Sequence, residues 1–217
     1  MKAKALVILL LALLGGCTTT VIVEGTVPTP LVAKIPLEVG VHFPEDFKSF
    51  QHEEVIEHTG TFKFSLGEQN LTFFRNLMAA MFDRVVEVGE PPLARAEAAG
   101  LDGVIVPEIL KYGFLTPGIS GLNFYSASIH YRITLYGANG DKVADWTLVG
   151  YGKAEGGAFG RGDALSEATL LAIRDAGARI AIEFPNQPGV DVWIKRRNIA
   201  GNSGGDQIEP VPSPVEG

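Results

Sequence analysis

The stretch from Phe124 to Tyr136 alternates without a break. Tyr125, Ala127, Ile129, Tyr131, Ile133 and Leu135 fall on one side, and Ser126, Ser128, His130, Arg132 and Thr134 on the other. Period two sustained this long fits a strand with one face in a core and the other in water. Gly137-Ala138-Asn139-Gly140-Asp141 follows, rich in residues that tolerate positive φ, so the chain turns back on itself. Lys142 to Lys153 returns as the partner strand, with Ala144, Trp146 and Leu148 inward. One face of this hairpin is apolar and has to be covered.

Two helical segments can cover it. Ser65 with Glu68 three residues on is a capping-box pattern. Phe73, Phe74, Leu77, Met78, Met81, Phe82 and Val85 then recur at three- and four-residue steps until Gly89-Glu90-Pro91-Pro92. Phe73 and Phe74 are about 100° apart around a helix, so one of them is expected to be partly exposed. The second helix starts near Asp163, a capping residue type, and carries Leu165, Leu170, Ile173, Ile180 and Phe184 until Pro185 stops it.

Shorter elements precede and separate these. Leu37, Val39, Val41 and Phe43 alternate in a strand from Pro36 to Phe43, and Thr61 to Phe64 is a second short strand. Between them, Glu45 to His58 is expected as an acidic loop or short helix. Leu93 to Ala99 is expected as a short helix stopped by Gly100, Val104 to Ile109 as a buried strand, and Tyr112 to Gly121 as a Gly/Pro-containing loop. The order predicts an α+β fold: a two-layer sandwich of a mostly antiparallel sheet with two long helices on one face. The domain is expected over 36–184. Residues 17–35 read as a tether, with Val21-Ile22-Val23 offering a short edge strand. Residues 185–217 read as a largely disordered Pro/Gly-rich tail, in which Val190 to Ile194 could dock as a strand.

The element order, with Leu101-Asp102-Gly103-Val104-Ile105-Val106 after a helix, resembles small periplasmic α/β lipoproteins. These include auxiliary lipoproteins of export transporters and lipoproteins that assist envelope assembly. The resemblance covers Pro36 to Phe184 and transfers no functional residue.

The N-terminus carries a more specific signal. Lys2 and Lys4 precede an apolar run from Ala5 to Leu14, far shorter than the roughly 20 residues of a membrane-spanning helix. Leu14-Gly15-Gly16-Cys17 then resembles the lipobox of bacterial lipoproteins. The resemblance implies cleavage of residues 1–16 as a signal peptide, a diacylglycerol on the Cys17 thiol, and acylation of the new amine with a chain such as palmitate. Thr18 stands where an Asp tends to retain such proteins in the inner membrane, so the pattern resembles that of outer-membrane lipoproteins facing the periplasm.

Charge and cysteine usage exclude several classes. The net charge is −7, and removing the signal takes away two lysines and no acid. Such a chain lacks the clustered Lys and Arg that nucleic acid requires. Cys17 is the only cysteine, so there is no disulfide framework and, once it is acylated, no thiol catalyst.

No segment combines the residues of a catalytic or cofactor site. His42, His52 and His58 lie among Glu45, Asp46, Glu53, Glu54 and Glu57, the most metal-like grouping. Their spacing is not His-Glu-x-x-His, and His52 and His58 would diverge by about 120° on a helix, so the reading is a solvated acidic segment and no metal is assigned. The loop from Gly156 to Gly162 precedes a helix but lacks the Lys-Ser/Thr of a phosphate-binding loop, and Asp163 would oppose an anion, so no cofactor is assigned. Gly150-Tyr151-Gly152 marks a bulge or a close backbone approach. Ser126, Ser128 and His130 share one strand face, which does not by itself assemble a nucleophile with its base, so no catalytic residue is assigned.

Phe114, Leu115, Ile119, Leu122 and Phe124 around the Gly/Pro loop either fold back or form a partner surface. The expectation is a non-enzymatic, membrane-anchored binding or assembly module of an envelope protein complex, held to the bilayer through Cys17. The alternative is a small-ligand carrier or enzyme using a pocket near Phe114 to Phe124 and the Gly156 to Gly162 loop.

Overall fold

The computed structural model describes residues 18–28, 30–89, 100–156 and 160–203, with side chains up to 197. In chain order the main elements are β1 (Thr18–Ile22), β2 (Ile35–Val41), β3 (Gln51–Ile56), β4 (Gly60–Ser65), α1 (Gly67–Met81), β5 (Phe82–Glu87), β6 (Gly103–Leu115), β7 (Phe124–Gly137), β8 (Lys142–Glu155), α2 (Arg161–Glu183) and α3 (Val190–Ser203). One-turn helices occupy Glu45–Lys48 and Pro117–Ser120.

The fold is the α+β sandwich the pattern predicts. Its main sheet has the order β5-β2-β6-β7-β8, and a second sheet has the order β1-β4-β3. The long pairings, β6 with β7 and β7 with β8, are antiparallel, whereas β2 runs parallel to both β5 and β6. Ile129, Tyr131, Ile133 and Leu135 are fully buried on the face that α1 and α2 cover. Each fully buried side chain of this size contributes about 1.5–3 kcal/mol.

Gly150 and Gly152 are the close approach their spacing suggested. A Cβ on Gly150 would lie 2.1 Å from the carbonyl oxygen of Ala172, and one on Gly152 2.0 Å from that of Ala168. The small side chains Ala168, Ala172 and Ala176 complete the contact, so α2 lies directly on the β8 backbone.

Several local expectations are corrected. Ser65 is not a helix cap. It ends β4, paired with Gln51 and Ile22, and α1 starts behind Leu66, whose N–H donates to the carbonyl of Phe50 at 3.0 Å. The helix stops at Met81. Phe82 is already extended, and Val85-Val86 join β2 as a parallel strand, because β-branched residues beside an unfilled strand edge gain more from the ladder than from another turn of helix. Phe73 and Phe74 are both buried: Phe74 packs on Phe47 and Tyr131, and Phe73 fills the gap left by Gly177 of α2. Gln51–Ile56, expected as loop or helix, is the edge strand β3. The expected helix from Leu93 to Ala99 lies outside the described residues.

The packed unit extends past both expected ends. Thr18–Ile22 is strand rather than tether, parallel to β4, with Val21 and Val23 almost fully buried. Beyond Pro185 the chain forms a helix, not a strand or a disordered tail. Val190 and Trp193 enter the core, and the Trp193 indole donates to the Asp102 carbonyl at 3.3 Å. Residues 204–217 lie outside the described residues.

Candidate functional site

The expected partner surface divides in two. Tyr112 to Leu115, expected as loop, continues β6, which places Phe114 on the inner face of the main sheet. There it is 8% exposed, with ring centroids 5.1 Å from Phe62 and 4.9 Å from Phe64, so it is core and lines no open surface. Phe124 is half-buried, with the Lys153 ammonium 4.1 Å over its ring. Leu115, Ile119 and Leu122 are 44%, 43% and 52% exposed at the β6–β7 tip. The tip is ordered by Pro117–Ser120, closed by Gly121 at φ 69° with its N–H on the Pro117 carbonyl.

The outer face of the main sheet is a second open surface. Ser126, Ser128, His130, Arg132 and Thr134 of β7 pair there with Lys153, Tyr151, Val149, Thr147 and Asp145 of β8. Ser126 and Thr134 are buried, so the open part is centred on Ser128, His130 and Arg132 with their β8 partners. Tyr151 and Val149 are 54% and 41% exposed. Arg132 reaches Glu108 of β6 at 3.3 Å, leaving a mixed apolar and charged platform. Same-face residues along a strand stand about 7 Å apart, so Ser128 and His130 sit in a row rather than converging on one point.

The histidines of the acidic segment separate. His42 is buried, with Nδ1 3.1 Å from the Val88 carbonyl oxygen. His52 packs edge-on to Tyr112, ring centroids 5.2 Å apart, and touches Glu54 at 3.2 Å. His58 stands at φ 61° in the β3–β4 turn, 3.4 Å from Glu57. Among the described residues no three His, Cys, Asp or Glu side chains come together as metal ligands.

Two buried tyrosines tie the layers together. The Tyr131 hydroxyl donates to Asn70 of α1. Thr169 of α2 donates to the Leu165 carbonyl at 2.6 Å, so the Tyr112 hydroxyl is the donor in its 2.7 Å bond to Thr169. Burial pushes both phenols above their ordinary pKa of 10.0. These are structural hydrogen bonds between sheet and helix, with no access to a substrate.

Open grooves lie away from the expected pocket. One of about 530 Å³ is lined by His42, Phe43, Glu45, Lys48, Glu87 and Val88. Another, of about 690 Å³, lies between the 137–143 turn and α3, beside Trp193, Arg196 and Arg197. In the Gly156 to Gly162 loop, residues 157–159 lie outside the described residues, as do residues 1–17 with Cys17. Asp163 makes no side-chain cap; α2 starts behind Gly160 at φ 105°. Among the described residues no helix is long and apolar enough to cross a membrane, which says nothing of β-barrels.

No family model matches the chain, and no curated protein matches it at a significant level. Its fold is similar to that of solved bacterial proteins. A Xanthomonas campestris protein of the family DUF330 aligns with a TM-score of 0.52 at 11% identity, over 84% of this chain and 99% of that one. A Helicobacter pylori protein described as a neuraminyllactose-binding hemagglutinin homologue aligns with a TM-score of 0.52 at 12% identity, over 82% and 100%. A minor lipoprotein from Acinetobacter baumannii overlaps at 0.37 and 14% identity, over 71% and 92%. For the first two, at these identities, the likeness is one of fold alone.

Proposed function

We propose that the protein is a lipid-anchored envelope lipoprotein that acts as a non-enzymatic binding or assembly module on the periplasmic side of the outer membrane. One observation carries the reading. The cysteine of Leu14-Gly15-Gly16-Cys17 directly precedes β1, a strand of the folded unit. An acylated Cys17 therefore holds the domain against the bilayer without an intervening linker. Two or three acyl chains, at about 0.8 kcal/mol per buried methylene, make that attachment effectively permanent. The outer sheet face, with Tyr151 and Val149 exposed beside His130 and Arg132, is the surface offered to a protein of the same envelope complex.

The test is acyl analysis and fractionation of the protein and of Cys17→Ser, together with in-cell crosslinking from the outer sheet face. The reading expects an acylated N-terminal Cys17 peptide in the outer-membrane fraction, unprocessed precursor in the mutant, and one recurring crosslinked partner lost on Val149→Glu with Tyr151→Glu. Normal processing of Cys17→Ser removes the anchor. A confirmed anchor with no partner at this face removes the assembly role.

A further inference from the structure

The lipid-bearing end of the chain and the exposed apolar tip occupy the same end of the molecule. Thr18, the residue after Cys17, pairs with Thr61 of β4, and Thr61 pairs in turn with Val55 of β3, itself 74% exposed. The next β4 residue, Phe62, rests on Phe114, and Leu115 follows Phe114 into the tip. On the other flank of β1, the Ser166 hydroxyl donates to the carbonyl of Ile22, the last residue of β1, at 3.1 Å, and a Cβ on Gly25 would meet Leu170. So β1 and α2 run side by side in the same direction, and Thr18 lies toward the start of α2. These independent contacts put the start of β1, the β3–β4 turn, the β6–β7 tip and the start of α2 at one pole.

The composition of the tip suits a lipid surface. The chain is 20% charged, yet from Tyr112 to Ile129 there is no Asp, Glu, Lys or Arg. The exposed side chains there are Leu115, Ile119, Leu122 and the uncharged Asn123, carried on a turn whose backbone is internally hydrogen-bonded. An uncharged apolar projection that sits beside an acyl anchor can enter the boundary between head groups and acyl chains, where it exchanges water for hydrocarbon.

We propose that the β6–β7 tip is a bilayer-contact surface, with Leu115, Ile119 and Leu122 seated in the membrane interface beside the lipid on Cys17. The proposal rests on the reading of Cys17 as the lipidated residue. The anchor supplies the binding; the tip fixes the orientation. With β7 leading away from the membrane, its 14 residues at about 3.3 Å each carry the 137–141 turn and the neighbouring α3 up to about 45 Å from the bilayer. The outer sheet face then stands upright, open sideways to a partner.

The test uses the lipidated full chain, in which the acylated Cys17 leaves no other thiol. Leu122→Cys and Ile119→Cys each carry a nitrobenzoxadiazole dye, and Ile182→Cys, 64% exposed near the far end of α2, serves as control. The proteins are reconstituted in phosphatidylethanolamine–phosphatidylglycerol vesicles with or without nitroxide-labelled lipid. The proposal expects dyes at 119 and 122 to shift to the blue and lose fluorescence to the nitroxide, while the dye at 182 does neither. Aqueous emission at 119 and 122 on floated, acylated protein overturns the tip and leaves the anchor standing. A blue shift without nitroxide quenching means that a second copy covers the tip, and also overturns it. Absence of the acyl mass on Cys17 overturns the anchor, and the proposal with it.

Discussion

The Asp175 carboxylate of α2 accepts the backbone N–H of Tyr151 in β8 at 3.0 Å. β8 is an edge strand, and its outward amides are free to pair with another chain unless something covers them. Asp175, also 3.2 Å from the Arg179 guanidinium, reaches around that edge and satisfies one of them. The helix that buries the inner face of the sheet thus also blunts its border.

Asp175→Ala should cost about 1 kcal/mol in urea unfolding, the scale of one hydrogen bond at a solvent-accessible site. Amide exchange at Tyr151 should accelerate more than that of its neighbours in β7, and Asp175→Asn, which retains an acceptor, should lie between. Unchanged exchange at Tyr151 would show that the carboxylate does not protect the edge.

Gly152→Val should destabilise the protein by at least about 1–3 kcal/mol, the usual range for overpacking, since even its Cβ lies 2.0 Å from the Ala168 carbonyl oxygen. The contact is with helix backbone, which has no rotamer to yield. Tyr151→Ala, one residue away and facing solvent, is the control. Equal melting temperatures for the two variants would contradict the close β8–α2 approach.

The Tyr112–Thr169 pair should behave asymmetrically. Tyr112→Phe removes a donor while Thr169 keeps its bond to Leu165, a loss of about 1 kcal/mol. Thr169→Val strands a buried phenol hydroxyl and should cost about 1–3 kcal/mol. The double variant should cost less than the two together, because the stranded group is then gone. Additivity in chemical denaturation would mean that the two side chains do not interact.

Lys142 and Asp145 form an ion pair at 2.8 Å on the exposed start of β8. The hydrogen bond and charge of Lys142 lower the Asp145 pKa from 3.8, and those of Asp145 raise that of Lys142 from 10.5. The carboxylate's contribution to stability is therefore present above 3.8 and is lost as pH falls through its lowered folded value. The ammonium's is present below 10.5 and is lost as pH rises through its raised folded value. Lys142→Met should return the Asp145 titration, followed by NMR, to its ordinary range. Added salt should weaken the coupling in the native protein.

Much of the fold was legible along the chain because some segments have only one arrangement that hides their apolar atoms. Ile129, Tyr131, Ile133 and Leu135 must share a face, the Gly137 to Asp141 turn must return the chain, and Leu165, Ile173 and Ile180 must form a stripe. The segments that departed from expectation are short or ambiguous in period. Phe82 and Val85 suit the face of a helix and also suit a strand, and the open edge of β2 decides between them. The candidate site was legible in part for a similar reason: Leu115, Ile119 and Leu122 read as loop apolars, but nothing local says that Phe114 turns inward onto Phe62 and Phe64.

Local pattern thus settles what a segment can do alone: its period and its turns. It could not place Thr18–Ile22 beside β4, or bring the start of β1 to the same pole as the β6–β7 tip. Those relations join residues far apart in the chain. They exist because strand edges must find hydrogen-bond partners and buried rings must find each other, and both conditions are met only when the whole chain has folded.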